Sequence, residues 1–266
     1  MRILSYTRPV WQYRHFVAAA IRGDFKARVA RSRIGALWFV LHPLAMALIY
    51  VLILSEVLQA KLGMSDKPGA YAVYLLAGIA VWSLYSEIIN RCMTMFIDFA
   101  NSLKKISFPR ACLPFIVVGS ALITHALLLL AIAVIIVFYG FTPTFSWLLL
   151  VIPLLVTVLL ATGLGVTLGV LNVFSRDVSQ VMLVVMNMWF WLTPIVYASD
   201  MLPEPMQRII ALNPATALVQ GYQKIILLDQ APDLMALSYP ALLGVVLTGL
   251  SLFLFRRAGP ELVDVL

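Results

Sequence analysis

Glu87 and Arg91 are the residues most out of place in this 266-residue sequence. They stand four apart within an apolar run from Ala70 to Ile97, acid first, the favourable order for an i,i+4 ion pair on a helix. Charge inside such a run is costly, so the two either neutralise each other or face a water-filled space. A structural ion pair is the first reading, and a wall of a wet path the second. A cluster of cations, Lys26, Arg28, Arg31 and Arg33, lies just before the first apolar run. Cations at that level attract anionic lipid head groups at about 1 kcal/mol each. Aromatic rings form a third group: Trp82 and Tyr85 beside Glu87, then Trp189, Phe190, Trp191 and Tyr197 in a later run. Trp and Tyr at such places serve as interface anchors or packing, or else line a path.

Catalytic and metal chemistry find no support. His15, His42 and His125 belong to separate segments, and no H-E-x-x-H, G-x-S-x-G or metal-ligand cluster occurs. Apart from Glu87, the apolar runs carry acids only at their edges, at Glu56 and Asp98, which argues against a membrane-embedded transferase. Cys92 and Cys112 read as small buried apolar residues, with neither a disulfide nor a zinc site expected. No G-x-x-x-x-G-K-[ST] loop is present, so no P-loop binding of ATP is expected of this chain. The net charge of +7 does not point to nucleic acid, because the cations sit before and between apolar runs.

These residues must be positioned by helices in lipid. Hydrophobic residues make up 62% of the chain and charged ones 12%, and the mean hydropathy is +0.98, too apolar for a soluble fold. Six runs reach the roughly 20 residues needed to cross about 30 Å of hydrocarbon: Ile34–Leu58, Ala70–Ile97, Leu113–Tyr139, Trp147–Phe174, Val178–Ala198 and Ala236–Phe255. With the N-terminus inside, 15 Lys and Arg fall on the cytoplasmic side and 4 on the outer side, which sets the orientation. Both termini are then cytoplasmic, and no cleavable signal is expected.

The expected fold is an all-α integral membrane protein in three parts. Residues 1–33 form a cytoplasmic amphipathic interface helix with a possible break at Gly23-Asp24, the alternative being a plain topogenic tail. Residues 34–258 hold the six spans, with a cytoplasmic loop at about 98–112. Residues 259–266 are a cytoplasmic tail. An outer region at about 199–233 holds two apolar pieces too short to span, expected as re-entrant helices turning at Asn213-Pro214 or else as a folded surface loop. Gly165 and Gly169 form a G-x-x-x-G in the fourth run, suited to close packing within the subunit or at a dimer seam.

Seven short strings occur in order along the chain. They are Gly23-Asp24-Phe25-Lys26-Ala27-Arg28; Ser32-Arg33-Ile34-Gly35-Ala36-Leu37-Trp38 closing with Pro43; and Asn101-Ser102-Leu103-Lys104-Lys105-Ile106-Ser107-Phe108-Pro109-Arg110 followed by Leu113-Pro114. Then come Phe174-Ser175-Arg176-Asp177, Thr193-Pro194-Ile195-Val196-Tyr197, Asn213-Pro214, and Phe255-Arg256-Arg257-Ala258-Gly259-Pro260-Glu261. From about residue 10 to the C-terminus the chain resembles the ABC-2 type permeases of polysaccharide and polyol-phosphate export, which include O-antigen, capsule and teichoic-acid transporters. The resemblance implies a homodimeric permease, not itself an enzyme, that moves undecaprenyl-diphosphate-linked polysaccharide such as O-antigen to the periplasm. Capsule or teichoic-acid polymer, lipid or drug are the alternative cargoes. It implies two copies of a separate cytoplasmic ATPase that bind ATP and Mg, with no cofactor in this chain.

Under that resemblance Lys26, Arg28, Arg31 and Arg33 would hold the lipid diphosphate. Asn101, Lys104, Lys105, Phe108, Pro109 and Arg110 would contact the ATPase, unless that loop serves only as a basic membrane anchor. Trp82, Tyr85, Glu87, Arg91, Trp189, Trp191 and Tyr197 would line the path, where aromatic faces let a sugar chain slide.

Overall fold

The structure, a computed structural model, describes residues 12–30, 33, 35–61, 69–100 and 109–258. Every regular element among them is helical: α1 Arg14–Ala30, α2 Trp38–Lys61, α3 Ala70–Asp98, α4 Cys112–Phe138, α5 Val151–Phe174, α6 Asp177–Trp191, α7 Glu204–Ala211, α8 Pro214–Leu228 and α9 Leu234–Ala258. Short 3-10 turns precede α2, α5 and α7.

Four of these segments are long and apolar enough to cross a membrane: α3, α4, α9 and Phe145–Phe174, in which a 3-10 turn runs into α5. Their ends fall within a few residues of the runs read from the sequence. α2 has 24 residues with Pro43 inside it. The run Val178–Ala198 is not one helix. α6 has 15 residues and stops at Trp191, roughly 22 Å at 1.5 Å per residue and too short to cross about 30 Å. Pro194 is the cause, because it drives Thr193 out of the helical region and removes a backbone donor. Residues 192–198 continue as irregular backbone.

α3 is the axis of the molecule. It is buried along its length, with α2, α4, α5 and α8 packed around it. α5 lies between α3 and α9, and glycines set how close they come. A Cβ on Gly165 would lie 2.7 Å from Cys92 Cβ, one on Gly169 2.5 Å from the Cys92 carbonyl oxygen, and one on Gly163 2.7 Å from the Thr248 backbone nitrogen. The G-x-x-x-G is therefore a packing seam within the chain.

α1 runs unbroken through Gly23-Asp24, so the expected break is absent. The helix is held by its neighbour: Val17, Phe16, Ala20 and Ile21 pack on Cys112 and Ile116 of α4, and Ile21 fills the space over Gly119. This docking outweighs the cost of about 1 kcal/mol for one helical glycine. The apolar side of α1 thus rests on protein. Both cysteines are buried and free.

α7 and α8 are the two short helices expected on either side of Asn213-Pro214. Asn213 caps α8 by accepting from the Ala215 N–H at 3.0 Å, and Pro214 occupies the first turn, where a missing donor costs nothing. Asp229, just after α8, accepts at Oδ1 from Thr144 Oγ1, which precedes the 3-10 turn before α5 and lies 2.8 Å from Ser146 Oγ. Hydrogen bonding by Ser146, then Thr144, holds the Asp229 carboxyl below its ordinary range. A depressed acid stabilises the fold above its unfolded pKa, and that contribution disappears as pH falls through the lower folded value. Thermal melts should therefore show wild type ahead of Asp229→Asn at neutral pH, with the gap closing on acidification.

Candidate functional site

Four charges join α1 to α3. Asp24 and Arg28 are four apart on α1, and Glu87 and Arg91 are four apart on α3. They pair crosswise: Arg28 Nη1 donates to Glu87 Oε1 at 2.8 Å, and Arg91 Nη2 donates to Asp24 Oδ2 at 2.7 Å. Within α3, Arg91 Nη1 lies 3.5 Å from the same Glu87 Oε1. The i,i+4 pair read from the sequence is thus the longest contact of a four-member network. Two acids and two arginines sum to zero charge, which offsets the cost of burial that an unpaired member would carry. The Arg28 guanidinium also lies 4.3 Å from the centroid of the Phe39 ring, and its Nη1 is 3.5 Å from Ser120 Oγ.

Glu87 opens onto a cavity of about 600 Å³ between α2, α3, α4 and α6. Trp38, Trp82, Phe190 and Trp191 supply aromatic walls, and Ser83, Ser86, Asn90 and Asn187 supply neutral polar groups. His42 and His125 are on the wall as well. His125 is buried, and its Nε2 sits 3.0 Å from Tyr222 Oη, which ties α4 to α8 beside the cavity. The arrangement offers ring faces, hydroxyls, amides and one carboxylate, which suits an extended polar chain with C–H faces better than a purely apolar ligand.

The seven residues expected to line a path separate into two groups. Trp82, Glu87 and Trp191 border the cavity. Arg91 is behind it, bonded to Asp24. Tyr85 is buried edge-on to Trp189 at 5.6 Å. Trp189 is a strut, donating Nε1–H to Asn213 Oδ1 at 2.7 Å. The Tyr197 hydroxyl donates to the Trp191 carbonyl at 2.9 Å. Tyr85, Trp189 and Tyr197 therefore build the wall from behind.

That backing holds residues 192–198 in place. Irregular backbone away from water needs partners for its carbonyls, and side chains of α3 and α8 provide them. Tyr71 donates to Val196 O at 3.1 Å, Tyr74 Oη lies 3.0 Å from Tyr197 O and 3.3 Å from Pro194 O, and Gln223 donates to Pro194 O at 3.3 Å. Asn213 Nδ2 donates to Leu192 O at 3.2 Å and to Thr193 Oγ1 at 2.9 Å.

Of the four cations assigned to a lipid diphosphate, Arg28 is engaged by Glu87, Lys26 and Arg33 are exposed, and Arg31 lies outside the described residues. Of the coupling residues, Asn101, Lys104, Lys105 and Phe108 also lie outside them. Pro109 and Arg110 lead into α4, their carbonyls accepting from the N–H groups of Cys112 at 2.9 Å and Leu113 at 3.1 Å. Sequence reading missed Asp24, Ser120 and Asn90 as members of the site. The i,i+4 spacing of Asp24 and Arg28, repeated by Glu87 and Arg91, was the one signal available.

Residues 16–227 match the ABC-2 type transporter family. The chain is 30% identical over 248 residues to an O-antigen export system permease protein RfbA of Klebsiella pneumoniae, covering 91% of this chain and 92% of that protein. It is 27% identical over 266 residues to the protein of the same name from Myxococcus xanthus, covering 98% and 99%.

Proposed function

The chain belongs to the ABC-2 type transporter family, and from that premise we propose that it is the permease subunit of an exporter for undecaprenyl-diphosphate-linked polysaccharide of the O-antigen type. The observation that carries this reading is the cavity beside Glu87, with aromatic walls and neutral polar groups in a chain otherwise built for lipid. Near full-length likeness to two proteins named as O-antigen export permeases supports the cargo.

In this reading the six spans are α2, α3, α4, the Phe145–Phe174 segment, α6 extended by residues 192–198, and α9. Both termini are cytoplasmic in an inner membrane, an orientation that the 15 to 4 division of cations supports. α7 and α8 dip into the outer leaflet. The cavity carries Glu87, Asn187 and His42 between α2 and α6, and polar groups on an open flank are costly against lipid. A second copy of the chain covers that flank, which makes the permease a homodimer. Lys26, Arg28, Arg31 and Arg33 receive the diphosphate. The loop at 98–112, through Asn101, Lys104, Lys105, Phe108, Pro109 and Arg110, docks two copies of an ATPase that hydrolyse ATP.

A clean gene deletion tests the proposal. Surface polymer should be lost and lipid-linked polymer should accumulate inside the cell. A plasmid copy should restore export, while a copy with Lys104→Ala, Lys105→Ala and Arg110→Ala should insert normally without restoring it. Normal surface polymer after deletion would overturn the function, and full rescue by the triple variant would overturn the coupling role.

A further inference from the structure

We propose that Glu87 is an internal stand-in for a diphosphate: it occupies an anion site built by Arg28 and Arg91, and the ligand's phosphate displaces it on binding. The inference rests on the reading of the chain as an exporter of diphosphate-linked cargo and adds to it how that head group is admitted.

Two guanidinium groups face one oxygen, Arg28 hydrogen-bonded to it and Arg91 Nη1 in ionic contact only. Arg28 Nη1 at 2.8 Å and Arg91 Nη1 at 3.5 Å address the same atom, Glu87 Oε1, from two different helices. Guanidinium forks from two directions match the several oxygens of a diphosphate better than a single carboxylate oxygen. Ser120 Oγ, 3.5 Å from Arg28 Nη1, adds a neutral donor beside them.

Three features make Glu87 the group that leaves. It is the one acid on the cavity wall among the described residues, so its carboxylate has space to move into, past Ser83, Ser86 and Asn90. The buried Asn90 Oδ1 has no hydrogen-bond partner among the described residues, and a bound head group that carries a hydroxyl or a proton would give it one. Asp24 stays on Arg91 at 2.7 Å, so α1 keeps one ion pair to α3 and its apolar seat on Cys112 and Ile116 when Glu87 swings away. Glu87 is on the cavity wall and contacts both Arg28 and Arg91, which are not, so an anion in the cavity meets the two guanidinium groups only at the position its carboxylate leaves. While Glu87 is in place it cancels the field of Arg28 and keeps weaker anions out. A phosphate diester of a bulk lipid brings one charge to the exchange, and a diphosphate brings more charge and more acceptors.

The test uses the permease–ATPase complex in nanodiscs of phosphatidylcholine, titrated with farnesyl diphosphate and read by tryptophan fluorescence, since Trp38, Trp82 and Trp191 border the cavity. Glu87→Gln keeps the shape and removes the competing charge, and should tighten binding by roughly tenfold, the size of one charge-assisted hydrogen bond. Glu87→Asp withdraws the carboxylate by one methylene and should fall between the two. Arg28→Gln should weaken binding by at least the same factor. Cross-linking of Val17→Cys to native Cys112 reports in each variant whether α1 remains docked.

Equal or weaker binding by Glu87→Gln and Glu87→Asp with α1 docked would overturn the proposal. So would competition by phosphatidylglycerol as strong as that by the diphosphate, which would make the site a general one for anionic lipid. Competition by inorganic pyrophosphate supports recognition of the diphosphate itself, and failure of farnesyl monophosphate to compete supports it further. If no diphosphate binds any variant while the chain still restores surface polymer to a deletion strain, the stand-in role is wrong and the exporter reading stands. If the deletion strain never loses surface polymer, the exporter reading itself fails.

Discussion

Replacing Gly169 with leucine is expected to abolish accumulation of the folded protein in the membrane, while Gly249→Leu leaves it unchanged. Both glycines lie inside apolar helices, so hydropathy does not separate them. Contact does. A Cβ at Gly169 would sit 2.5 Å from the Cys92 carbonyl oxygen and 3.4 Å from the Phe96 ring, whereas nothing lies within 4 Å of one at Gly249. The Cys92 oxygen is backbone within α3, the most buried helix, and cannot move without shifting the helix against α2, α4 and α8. Overpacking usually costs about 1–3 kcal/mol when side chains can adjust, and here the blocking atom has no rotamer to change. Gly165→Ala should be intermediate, because its nearest neighbour is the Cys92 side chain at 2.7 Å, with Ile89 backbone at 3.1 Å. Size-exclusion profiles of detergent-extracted protein, normalised to total expression, check the series. A monodisperse Gly169→Leu variant at wild-type yield would mean that α3 and α5 are less tightly fixed than the contact implies.

The same seam shows what the sequence could and could not reveal. The ends of α3 and α4 were legible to within a residue or two, because hydrocarbon thickness and run length fix a span without reference to its neighbours. The turn at Asn213-Pro214 was legible because a capping residue followed by proline is a local signal. The G-x-x-x-G was visible as a close-packing motif, but its partner was not, since Cys92 is more than 70 positions away. The charge network failed in the same way. Glu87 and Arg91 were seen as a pair by spacing, yet the shorter bonds run to Asp24 and Arg28, 67 and 59 positions distant. Gly23 misled in the opposite direction, because a local helix breaker was overruled by the seat of Val17 and Ile21 on α4. The aromatics were read as one class, and only tertiary packing separates Trp82 and Trp191 on the cavity from Tyr85 and Trp189 behind it.

The second large effect is expected at Asn213, where one side chain holds three segments together. Its Oδ1 accepts from Trp189 Nε1 at the end of α6 and from the Ala215 N–H at the start of α8. Its Nδ2 donates to Leu192 O and Thr193 Oγ1, where helical backbone gives way to irregular backbone. Asn213→Ala removes all four bonds at once. A lost N-cap costs about 1 kcal/mol, and each further hydrogen bond about 0.5–1.5 kcal/mol, more where a buried partner is left unpaired. The total is on the order of 3–5 kcal/mol, equivalent to a fall in melting temperature of roughly 5–15 °C for a chain of this size. Asn213→Asp keeps both acceptor bonds and loses both donor bonds, so it should lie between Asn213→Ala and wild type. Trp189→Phe removes a single bond, and the double variant with Asn213→Ala should be less destabilised than the sum of the two, because they share that bond. The predicted consequence for transport follows from position. Trp191, on the cavity wall, precedes the irregular backbone that Asn213 anchors, so Asn213→Ala should lower export further than its reduced abundance explains. Export per folded molecule equal to wild type would confine Asn213 to stability and leave the cavity wall independent of the α6–α8 junction.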